Sequence, residues 1–384
     1  MKKLKVLIIP SWYPNKSDPL WGNYFIKQAS ALNEYVDVMM LHIERIGLKE
    51  INEFWKSKKE DGFNNELHNF KFYKKTTLNY KSFSLDFAYK KYVMCGYKAY
   101  LDLVKKEGKP DVILVESVLP AGLIAKHIYE KEGIPYVVHA HSESIMTNEA
   151  YKKYVIPVMK NASQYMAVNE SIKNIVEEIR NDICHLIPNF IDCSKFSLKK
   201  ERKDNDFVLL NVSNFYKAKA LDVLLKALDI VINKKNYKNI KLKIVGKGEY
   251  KYYYESICNS LNLKDNVEFL GYIENEKLPD IYKNVDVLCV SSSFETFCIP
   301  IVEAFSAGLP VISTSCDGPL EIVDKNTGII TPINDVDAYA EAIIKMIKTY
   351  DKYDKNEIRK YVVNKYDKEV VCKNIIKILE KCIK

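Results

Sequence analysis

Two glutamates, Glu295 and Glu303, are the residues of this sequence best suited to chemistry on a polar ligand. They lie eight residues apart in the stretch SSSFETFCIPIVEAFSAGLPVISTS, from Ser291 to Ser315, where an apolar segment turns into a helix-like one. Pro300 suits the first turn of that helix. This assignment places Glu303 inside the helix and Glu295 in the loop before it.

The spacing of the two carboxylates argues against their acting on one bond. Eight residues rise about 12 Å if they are helical throughout, whereas the two acids of a glycosidase lie about 5–9.5 Å apart. The two groups instead suit two parts of one elongated ligand, such as a nucleotide sugar, which has hydroxyls at both ends and a diphosphate between. The backbone amides of Phe297, Cys298 and Ile299 at the helix entry are available to that diphosphate or to sugar oxygens.

The elements that must position these residues alternate between short apolar runs and segments of helical period. The chain of 384 residues is long enough for two domains. Continuous apolar strands between helices predict parallel sheets covered on both faces, and the polar stretch from Pro188 to Asp206 is interpreted as a linker. The strand-like segments are KVLIIP, VDVMML, DVILVES (111–117), PYVVHAH (135–141), QYMAV (164–168), FVLLNV (207–212), KLKIVG (241–246), NVEFLG (266–271), VDVLCV (285–290) and PVISTS (310–315).

Ligands of parallel sheets bind where strands end and helices begin, so the loops at those places are candidate sites. Gly22, immediately before a helix, lets backbone approach a phosphate, although a simple helix-entry turn explains it equally well. Lys219 ends a strand-to-helix loop and suits a diphosphate, or is merely an exposed lysine. Gly246 and Gly248 bracket a tight loop that lacks the spacing of a dinucleotide site.

Composition excludes several classes of protein. No apolar run has the roughly 18 residues of a membrane span, and no signal peptide is evident, so a cytoplasmic protein is expected. The nine cysteines form no C-x-x-C pair and are expected to be reduced and buried. The net charge is +8, and residues 56–109 hold thirteen Lys against six acids among aromatic residues. This region is interpreted either as a surface for anionic lipid or as a solvated basic face; nucleic acid is not predicted.

Two motifs suggest a metal, and in both cases the interpretation without metal is preferred. His139, His141 and Glu143 spell H-x-H-x-E, but no further histidine segment of suitable spacing supports a site. Asp335 and Asp337 spell D-x-D at the start of a predicted helix, where aspartate is a favoured cap.

The stretch ETFCIPIVEAFSAGLPVISTSCDGPLEIV closely resembles the E-x7-E signature of the retaining glycosyltransferases of family 4, which have the GT-B fold. Four further segments resemble the family in the same order, so that the resemblance covers nearly the whole chain. These are SWYPNKSDPLWGNYFIKQASAL, PYVVHAHSE, the pair AVNESIKNIV and IPNFIDCSKF, and NTGIITPINDVDAYAEAI. The resemblance implies two Rossmann-like domains facing an interdomain cleft: an acceptor-binding domain of residues 1–188, joined by a helix of residues 367–384, and a nucleotide-sugar-binding domain of residues 189–366.

By this resemblance the chain transfers a sugar, with retention and without metal or cofactor, from a nucleotide-sugar donor to a glycan or lipid-linked saccharide. A UDP-sugar is the favoured donor, and synthesis of cell-surface polysaccharide at the inner face of the plasma membrane is the expected setting. The alternatives are a nucleotide-sugar epimerase of the same fold and a catalytically silent partner subunit. The implied catalytic residues are Glu295, His141 and Lys219, and the implied donor-binding residues are Gly22, Asn214, Lys219, Gly246, Phe297, Cys298, Ile299 and Glu303.

The roles implied by the family are specific. Glu303 binds the donor ribose, Glu295 binds the transferred sugar, and Lys219 and the Gly22 loop hold the diphosphate, with His141 near the sugar. The sequence departs from the family at several places: Asn214 stands where many members have arginine, and Ala220, Thr296 and Cys298 stand where glycine is frequent.

Overall fold

The computed structural model describes residues 3–15, 21–64, 67–199 and 206–383. The chain divides into two units, Met1–Ile187 with Cys372–Lys384, and Pro188–Val371. The first unit ends at Ile187, where the sequence placed the limit at residue 188. The chain returns to this unit at Cys372, where the sequence placed the start of the returning helix at residue 367. The roles assigned to the two domains, acceptor and donor binding, stay predictions.

The N-terminal unit is built on an eight-stranded sheet in the order β3-β4-β2-β1-β5-β6-β7-β8. All neighbouring strands are parallel except β3, which is antiparallel to β4. The central strands β1, β5 and β6 are buried nearly throughout because helices cover both faces of the sheet. The strands are β1 (Lys5–Pro10), β2 (Asp37–Gly47), β3 (Gly62–Phe63), β4 (Lys71–Asn79), β5 (Val112–Glu116), β6 (Tyr136–Ala140), β7 (Gln164–Ala167) and β8 (His185–Leu186).

The helices of this unit begin at residues that can cap them. The Ser84 hydroxyl accepts from the amide of Phe87, and the side-chain oxygen of Asn169 accepts from the amide of Ile172, which satisfies donors left open at a helix start. The helices are α1 (Asn23–Leu32), α2 (Ile51–Lys58), α3 (Leu85–Glu107), α4 (Ala121–Glu132), α5 (Ser144–Thr147), α6 (Glu149–Asn161) and α7 (Glu170–Arg180).

The second unit has a six-stranded, fully parallel sheet in the order β11-β10-β9-β12-β13-β14. Counted within the unit, this is the order 3-2-1-4-5-6 of nucleotide-binding Rossmann folds. The fold class predicted from the sequence, two α/β domains with parallel sheets, is confirmed. The strands are β9 (Phe207–Val212), β10 (Ile240–Val245), β11 (Val267–Gly271), β12 (Val287–Val290), β13 (Val311–Thr314) and β14 (Gly328–Thr331).

The second unit contains both helices that the sequence analysis discussed, the one that carries Glu303 and the one that follows Asp335. The Asp335 carboxylate accepts from the Ala338 amide at 2.9 Å, which confirms its interpretation as a helix cap. The helices are α8 (Leu221–Asp229), α9 (Lys251–Ser260), α10 (Leu278–Tyr282), α11 (Ile299–Ser306), α12 (Asp317–Ile322), α13 (Val336–Thr349), α14 (Lys355–Tyr366) and α15 (Lys368–Lys381), which continues into the N-terminal unit.

The stretch interpreted as a linker is folded over its first part. Cys193 and Phe196 are buried in a core of the second unit. The Arg359 guanidinium donates to the carbonyls of both residues, at 3.1 Å and 2.5 Å. This stretch is therefore ordered in spite of its polar composition. Its apolar side chains are buried, and an arginine from a distant helix bonds its backbone. Residues 200–205 lie outside the described residues.

Among the described residues, none of the helices is both long and apolar enough to cross a membrane. The nine cysteines are free thiols, and seven of them are buried, as their apolar neighbours in the sequence predict.

Candidate functional site

Two neighbouring strands bring Lys219 and Glu295 together. Strands β9 and β12 pair in parallel, and the loop after β9 carries Lys219 while the loop after β12 carries Glu295. The Lys219 ammonium nitrogen lies 2.6 Å from Glu295 Oε1. This is the point in the sheet where the strand order reverses, and parallel sheets bind ligands at such switch points.

The pair between Lys219 and Glu295 is mostly shielded from water, which strengthens its electrostatics. Burial lowers the pKa of the Lys219 ammonium, but the charge and hydrogen bond of Glu295 outweigh it, so the pKa is raised above its usual value. The Ser292 hydroxyl donates to the same Glu295 oxygen at 2.9 Å. Lys219 is therefore a fixed positive charge at neutral pH, which an anionic ligand can share with Glu295.

Serines before Glu295 tie the two loops to each other. The Ser291 hydroxyl donates to the Lys219 carbonyl at 3.0 Å, and the Ser293 amide donates to the Ala218 carbonyl at 2.8 Å. Sequence reasoning did not assign these serines a role, although three consecutive serines directly after an apolar strand were a visible signal. Their bonds fix the backbone on both sides of the ion pair.

Gly246 packs against the start of the loop that carries Lys219. A Cβ atom at Gly246 would lie 1.8 Å from the Ser213 carbonyl oxygen, and the backbone there has φ +151°, which favours glycine. The Phe215 amide donates to the Lys247 carbonyl at 2.8 Å across the same contact. The predicted donor-binding residue Asn214 is exposed on this loop. The structure thus gives Gly246 a packing role, and its contact with a donor stays a prediction.

Glu303 projects from α11 and is held by a buried tyrosine. Helix α11 begins at Ile299, so residues 295–298 are not helical and the estimate of 12 Å between the two carboxylates does not apply. The hydroxyl of Tyr282, on α10, donates to Glu303 Oε2 at 2.8 Å. Burial and then the charge of Glu303 raise the pKa of Tyr282 well above its usual value, so the phenol remains a donor. Sequence reasoning missed Tyr282 because it lies 21 residues away.

The amides predicted to face a diphosphate stand at the start of α11. Cys298 precedes the helix in the left-handed region at φ 75°, and Ala220 has φ 44° before α8. These are two of the positions where the family resemblance expects glycine. A left-handed L-residue costs roughly 1–2 kcal/mol, so both loops carry strain that the surrounding packing must offset. A Cβ atom at Gly318 would lie 2.5 Å from the Phe297 backbone, so the absence of a side chain at Gly318 lets the two segments approach each other.

His141 lies in the N-terminal unit, directly after β6, within a buried polar cluster. Its Nε2 atom is 2.7 Å from Oε2 of Glu116, the last residue of β5. His139 pairs with Glu116 in the register of the two strands, and the three side chains could hold a metal ion. Glu143, the third residue of the H-x-H-x-E motif, instead accepts from the Ser171 hydroxyl at 3.3 Å. Only strand register reveals Glu116, because it lies 25 residues before His141.

Gly22 has a structural reason for its identity. It is the left-handed N-cap of α1, with φ 74°, and a Cβ atom there would lie 2.7 Å from the carbonyl carbon of Trp12. The helix-entry interpretation therefore explains this glycine, and its phosphate role stays a prediction. Residues 16–20 of the same predicted loop lie outside the described residues.

The chain matches two models of known protein families. The model described as "Glycosyl transferases group 1" matches residues 194–380, and the model described as "Glycosyltransferase Family 4" matches residues 64–195. The chain therefore belongs to the group 1 glycosyltransferases of family 4, which have the GT-B fold. The family predicted from the E-x7-E signature is confirmed.

Individual relatives agree with this assignment. An uncharacterized glycosyltransferase of Methanocaldococcus jannaschii is 26% identical over 67% of this chain and 71% of its own length. The UDP-Gal:alpha-D-GlcNAc-diphosphoundecaprenol alpha-1,3-galactosyltransferase of Escherichia coli is 27% identical over 64% of this chain and 68% of its own. The crystal structure of Anabaena HepE in complex with UDP and glucose superposes with a TM-score of 0.71, covering 98% of this chain and 100% of that one at 18% identity. At that identity the superposition supports the fold alone.

Proposed function

We propose that this glycosyltransferase moves a sugar, with retention of configuration and without a metal ion, from a UDP-sugar to a glycan or lipid-linked saccharide of the cell surface. The observation that carries this proposal is the pair between Lys219 and Glu295, 2.6 Å apart at the switch point of a 3-2-1-4-5-6 sheet. A cation and a carboxylate at that place suit a ligand that joins a diphosphate to a hydroxylated sugar.

In this proposal each residue has a distinct task. Lys219 and the amides of Phe297, Cys298 and Ile299 take the charge that develops on the leaving diphosphate, which is the main electrostatic requirement of the transfer. Glu295 accepts hydrogen bonds from the transferred sugar, and Glu303, oriented by Tyr282, accepts them from the ribose. The acceptor attacks on the face from which the diphosphate leaves. Together, Lys219 and these amides supply the charge stabilisation that a divalent cation gives in other transferases.

The choice of donor and acceptor follows the relatives. The name of the Escherichia coli relative specifies a UDP-sugar donor and a diphosphate-linked lipid acceptor, and the Anabaena protein was crystallised with UDP and glucose. The site described here has the groups needed for such a donor: a charged lysine, helix-entry amides and two carboxylates. For His141 and Gly22, which belong to the N-terminal unit, contact with the transferred sugar and with the diphosphate is proposed from the family resemblance alone.

A donor screen tests the function directly. In EDTA, one nucleotide-sugar family, expected to be UDP-sugars, should raise the melting temperature of the wild-type protein, because a ligand that binds only the folded state stabilises it by mass action. Glu303→Ala should lose that effect. Glu276→Ala, an exposed acid before α10, is the matched control and should keep it. Transfer to a saccharide acceptor is then measured with the stabilising donor.

Three outcomes of the screen contradict the proposal. Conversion of the donor without any acceptor indicates an epimerase. Absence of binding to every nucleotide sugar indicates a silent partner subunit. Binding that appears only with a divalent cation overturns the metal-independent mechanism.

The N-terminal unit carries exposed aromatic residues at the start of α3, and we propose that they dock on an anionic membrane. Tyr80, Phe83 and Phe87 form a cluster with ring centroids 5.3–6.4 Å apart, and Phe83 is 72% exposed. Lys91 lies 5.4 Å from the Phe87 ring. Exposed rings beside lysines are typical of membrane-surface contacts.

The lysines of β4 contribute little to the basic surface of residues 56–109, because they have acidic partners. Lys74 contacts Glu44 and Glu60, both at 2.8 Å, and Lys75 contacts Asp61 at 3.3 Å. Glu60 and Asp61 are among the six acids already counted in residues 56–109, whereas Glu44 lies outside this region. The attraction to lipid must therefore come from the lysines of α3 and α2 rather than from β4.

Binding to vesicles measures this docking. The wild-type protein is expected to bind phosphatidylglycerol vesicles more tightly than phosphatidylcholine vesicles, and binding should weaken as salt screens the lysines. Replacing Phe83 and Phe87 by serine should weaken binding at least about tenfold, because burying one such ring is worth about 1.5–3 kcal/mol.

Tyr252→Ser is the matched control, because Tyr252 is 81% exposed in the other unit. It should bind vesicles like the wild type. Equal binding to the two lipids, or binding that salt leaves unchanged, would remove the proposed docking surface.

A further inference from the structure

A buried carboxylate that the proposed reaction does not use directly, Glu116, lies at the centre of the polar cluster in the N-terminal unit. Its side chain is fully buried, and so is that of His139. The Gln28 amide nitrogen, on α1, lies 2.5 Å from Glu116 Oε1, and His141 Nε2 lies 2.7 Å from Oε2. A buried carboxylate costs several kcal/mol unless it is neutralised or hydrogen-bonded. The presence of Glu116 at this buried position therefore calls for a functional explanation.

The hydrogen positions of this cluster follow from the acceptors that each nitrogen faces. His139 Nε2 lies 3.0 Å from the Ile187 carbonyl, which only accepts, so this nitrogen carries a hydrogen. Among the residues that the structure describes, its buried Nδ1 has no hydrogen-bond partner, and it faces Glu116 Oε2 at 3.5 Å. An ionised carboxylate also only accepts, so the Nε2 atom of His141 carries a hydrogen too.

The ionised state of Glu116 agrees with these contacts. Burial raises the pKa of its carboxyl, but the His139 and His141 side chains beside Oε2 outweigh that effect and lower the pKa to about 2. Because the pKa is lower in the folded state, the carboxylate stabilises the fold at every pH above its ordinary pKa of 4.5. That contribution is lost only as the pH falls towards 2. At neutral pH the carboxylate is therefore a permanent acceptor for His141.

We propose that Glu116 is a positioning residue: it fixes the ring orientation of His141 and holds it as the Nε2–H tautomer, while the Gln28 amide, which donates to the other carboxylate oxygen, holds Glu116. The inference rests on the proposed function, in which His141 contacts the transferred sugar. Because Nε2 is committed to Glu116, Nδ1 is the ring atom through which a neutral His141 would accept a hydrogen bond from a sugar hydroxyl. The rings of Tyr24 and Phe25 lie 5.9 Å and 4.9 Å from His141 and restrict its rotation further.

A metal ion is the competing explanation of the same three side chains. Two ligands of a tetrahedral zinc ion, each about 2.0–2.2 Å from the metal, stand about 3.3 Å apart. The separation of 2.7 Å between His141 Nε2 and Glu116 Oε2 is that of a hydrogen bond. The geometry therefore favours a shared hydrogen over a shared metal.

Histidine nitrogen NMR on the full chain tests the inference without any turnover. With ¹⁵N-labelled histidine, the wild type is expected to show His141 as the Nε2–H tautomer, assigned by its loss in His141→Gln. In Glu116→Gln the amide can donate or accept, so the tautomers should mix. The signals of His127, whose ring contacts Tyr97 at 4.9 Å, should not move, which reports on an intact fold.

Activity distinguishes positioning from a purely structural role. Glu116→Gln is expected to lower donor turnover by about tenfold or more, the worth of a hydrogen bond to a charged group. In a His141→Gln background the same change should have no further effect, because Glu116 acts through His141. Independent, multiplying losses would overturn the proposal, as would an unchanged tautomer in Glu116→Gln.

Two further outcomes are decisive. One zinc ion per chain in the purified protein, with a metal-bound His141 nitrogen signal, overturns the positioning role in favour of a metal site. Absence of turnover with every nucleotide sugar removes the proposed function, whereas the tautomer measurement still decides whether Glu116 sets the state of His141.

Discussion

Lys219→Ala is expected to lower kcat for sugar transfer by about 10²- to 10³-fold, the loss typical of removing one preorganised group that stabilises developing charge. In the proposed reaction the ammonium takes the charge of the leaving diphosphate, and Asn214 provides no second cation where many family members have arginine. The variant should also lose stabilisation by the donor in thermal shift. Initial rates at saturating donor, with the best acceptor from the donor screen, measure the effect.

The ion pair makes this variant informative about Glu295 as well. Without Lys219, Glu295 keeps the Ser292 hydroxyl but loses its positive partner. The side chain of Glu295 is only 14% exposed, so part of the loss arises from an uncompensated carboxylate that repels the diphosphate. Lys219→Arg keeps the charge with a different reach, and its kcat should fall between those of the wild type and the alanine variant.

Lys226→Ala is the matched control for charge. Lys226 lies on α8, the helix that follows the Lys219 loop. It pairs with Asp222 at 2.8 Å on the surface. Its loss should leave kcat within about twofold, because a surface ion pair is worth about 0–1 kcal/mol. If Lys219→Ala kept more than a tenth of the wild-type kcat, the diphosphate would have to be held by other groups.

The sequence predicted the sheets well because their strands are continuous apolar runs. The strand predicted over residues 207–212 matches β9 residue for residue. The two-residue strands β3 and β8 and the four-residue strand β14 were missed, since so few residues carry no measurable period. Strand β4 was interpreted only as part of a basic region, because its lysines interrupt the apolar run and its burial does not alternate along the strand.

The candidate site was predicted in part, and the division has a physical reason. Glu295, Glu303 and Lys219 stand at loop and helix-start positions that local sequence marks. Their partners do not: Tyr282 and Glu116 are buried among apolar neighbours, at sequence separations of 21 and 25 residues. A hydrogen bond across a sheet or between helices depends on register and packing, which periodicity alone does not determine.

Glycines illustrate the same limit. Gly246 was assigned to the donor site only by the family resemblance, which places backbone of this loop near the donor. The structure shows that what approaches it is the carbonyl of Ser213. Both explanations require a missing Cβ, so residue type could not distinguish them. The consequence for function is indirect, because the loop that Gly246 supports leads into Lys219.

Gly246→Ala is expected to destabilise the second unit by about 3–5 kcal/mol, from overpacking and backbone strain together. The added Cβ would meet a backbone oxygen at 1.8 Å, which no rotamer change relieves, and the backbone has φ +151°. The loop that carries Lys219 must move to make room. Thermal and urea unfolding should show the loss, and donor binding should weaken even at temperatures where the variant is folded.

Gly271→Ala separates the two causes of that loss. Gly271 ends the neighbouring strand β11 and its carbonyl accepts from the Gly246 amide at 2.8 Å. It also has a positive φ of +71°, but a Cβ there would meet no described residue within 4 Å. This variant should therefore cost only the roughly 1–2 kcal/mol of left-handed strain and keep normal donor affinity. Equal losses of stability and of donor affinity in the two variants would show that backbone strain, rather than contact with the Ser213 carbonyl, makes Gly246 necessary for the Lys219 loop.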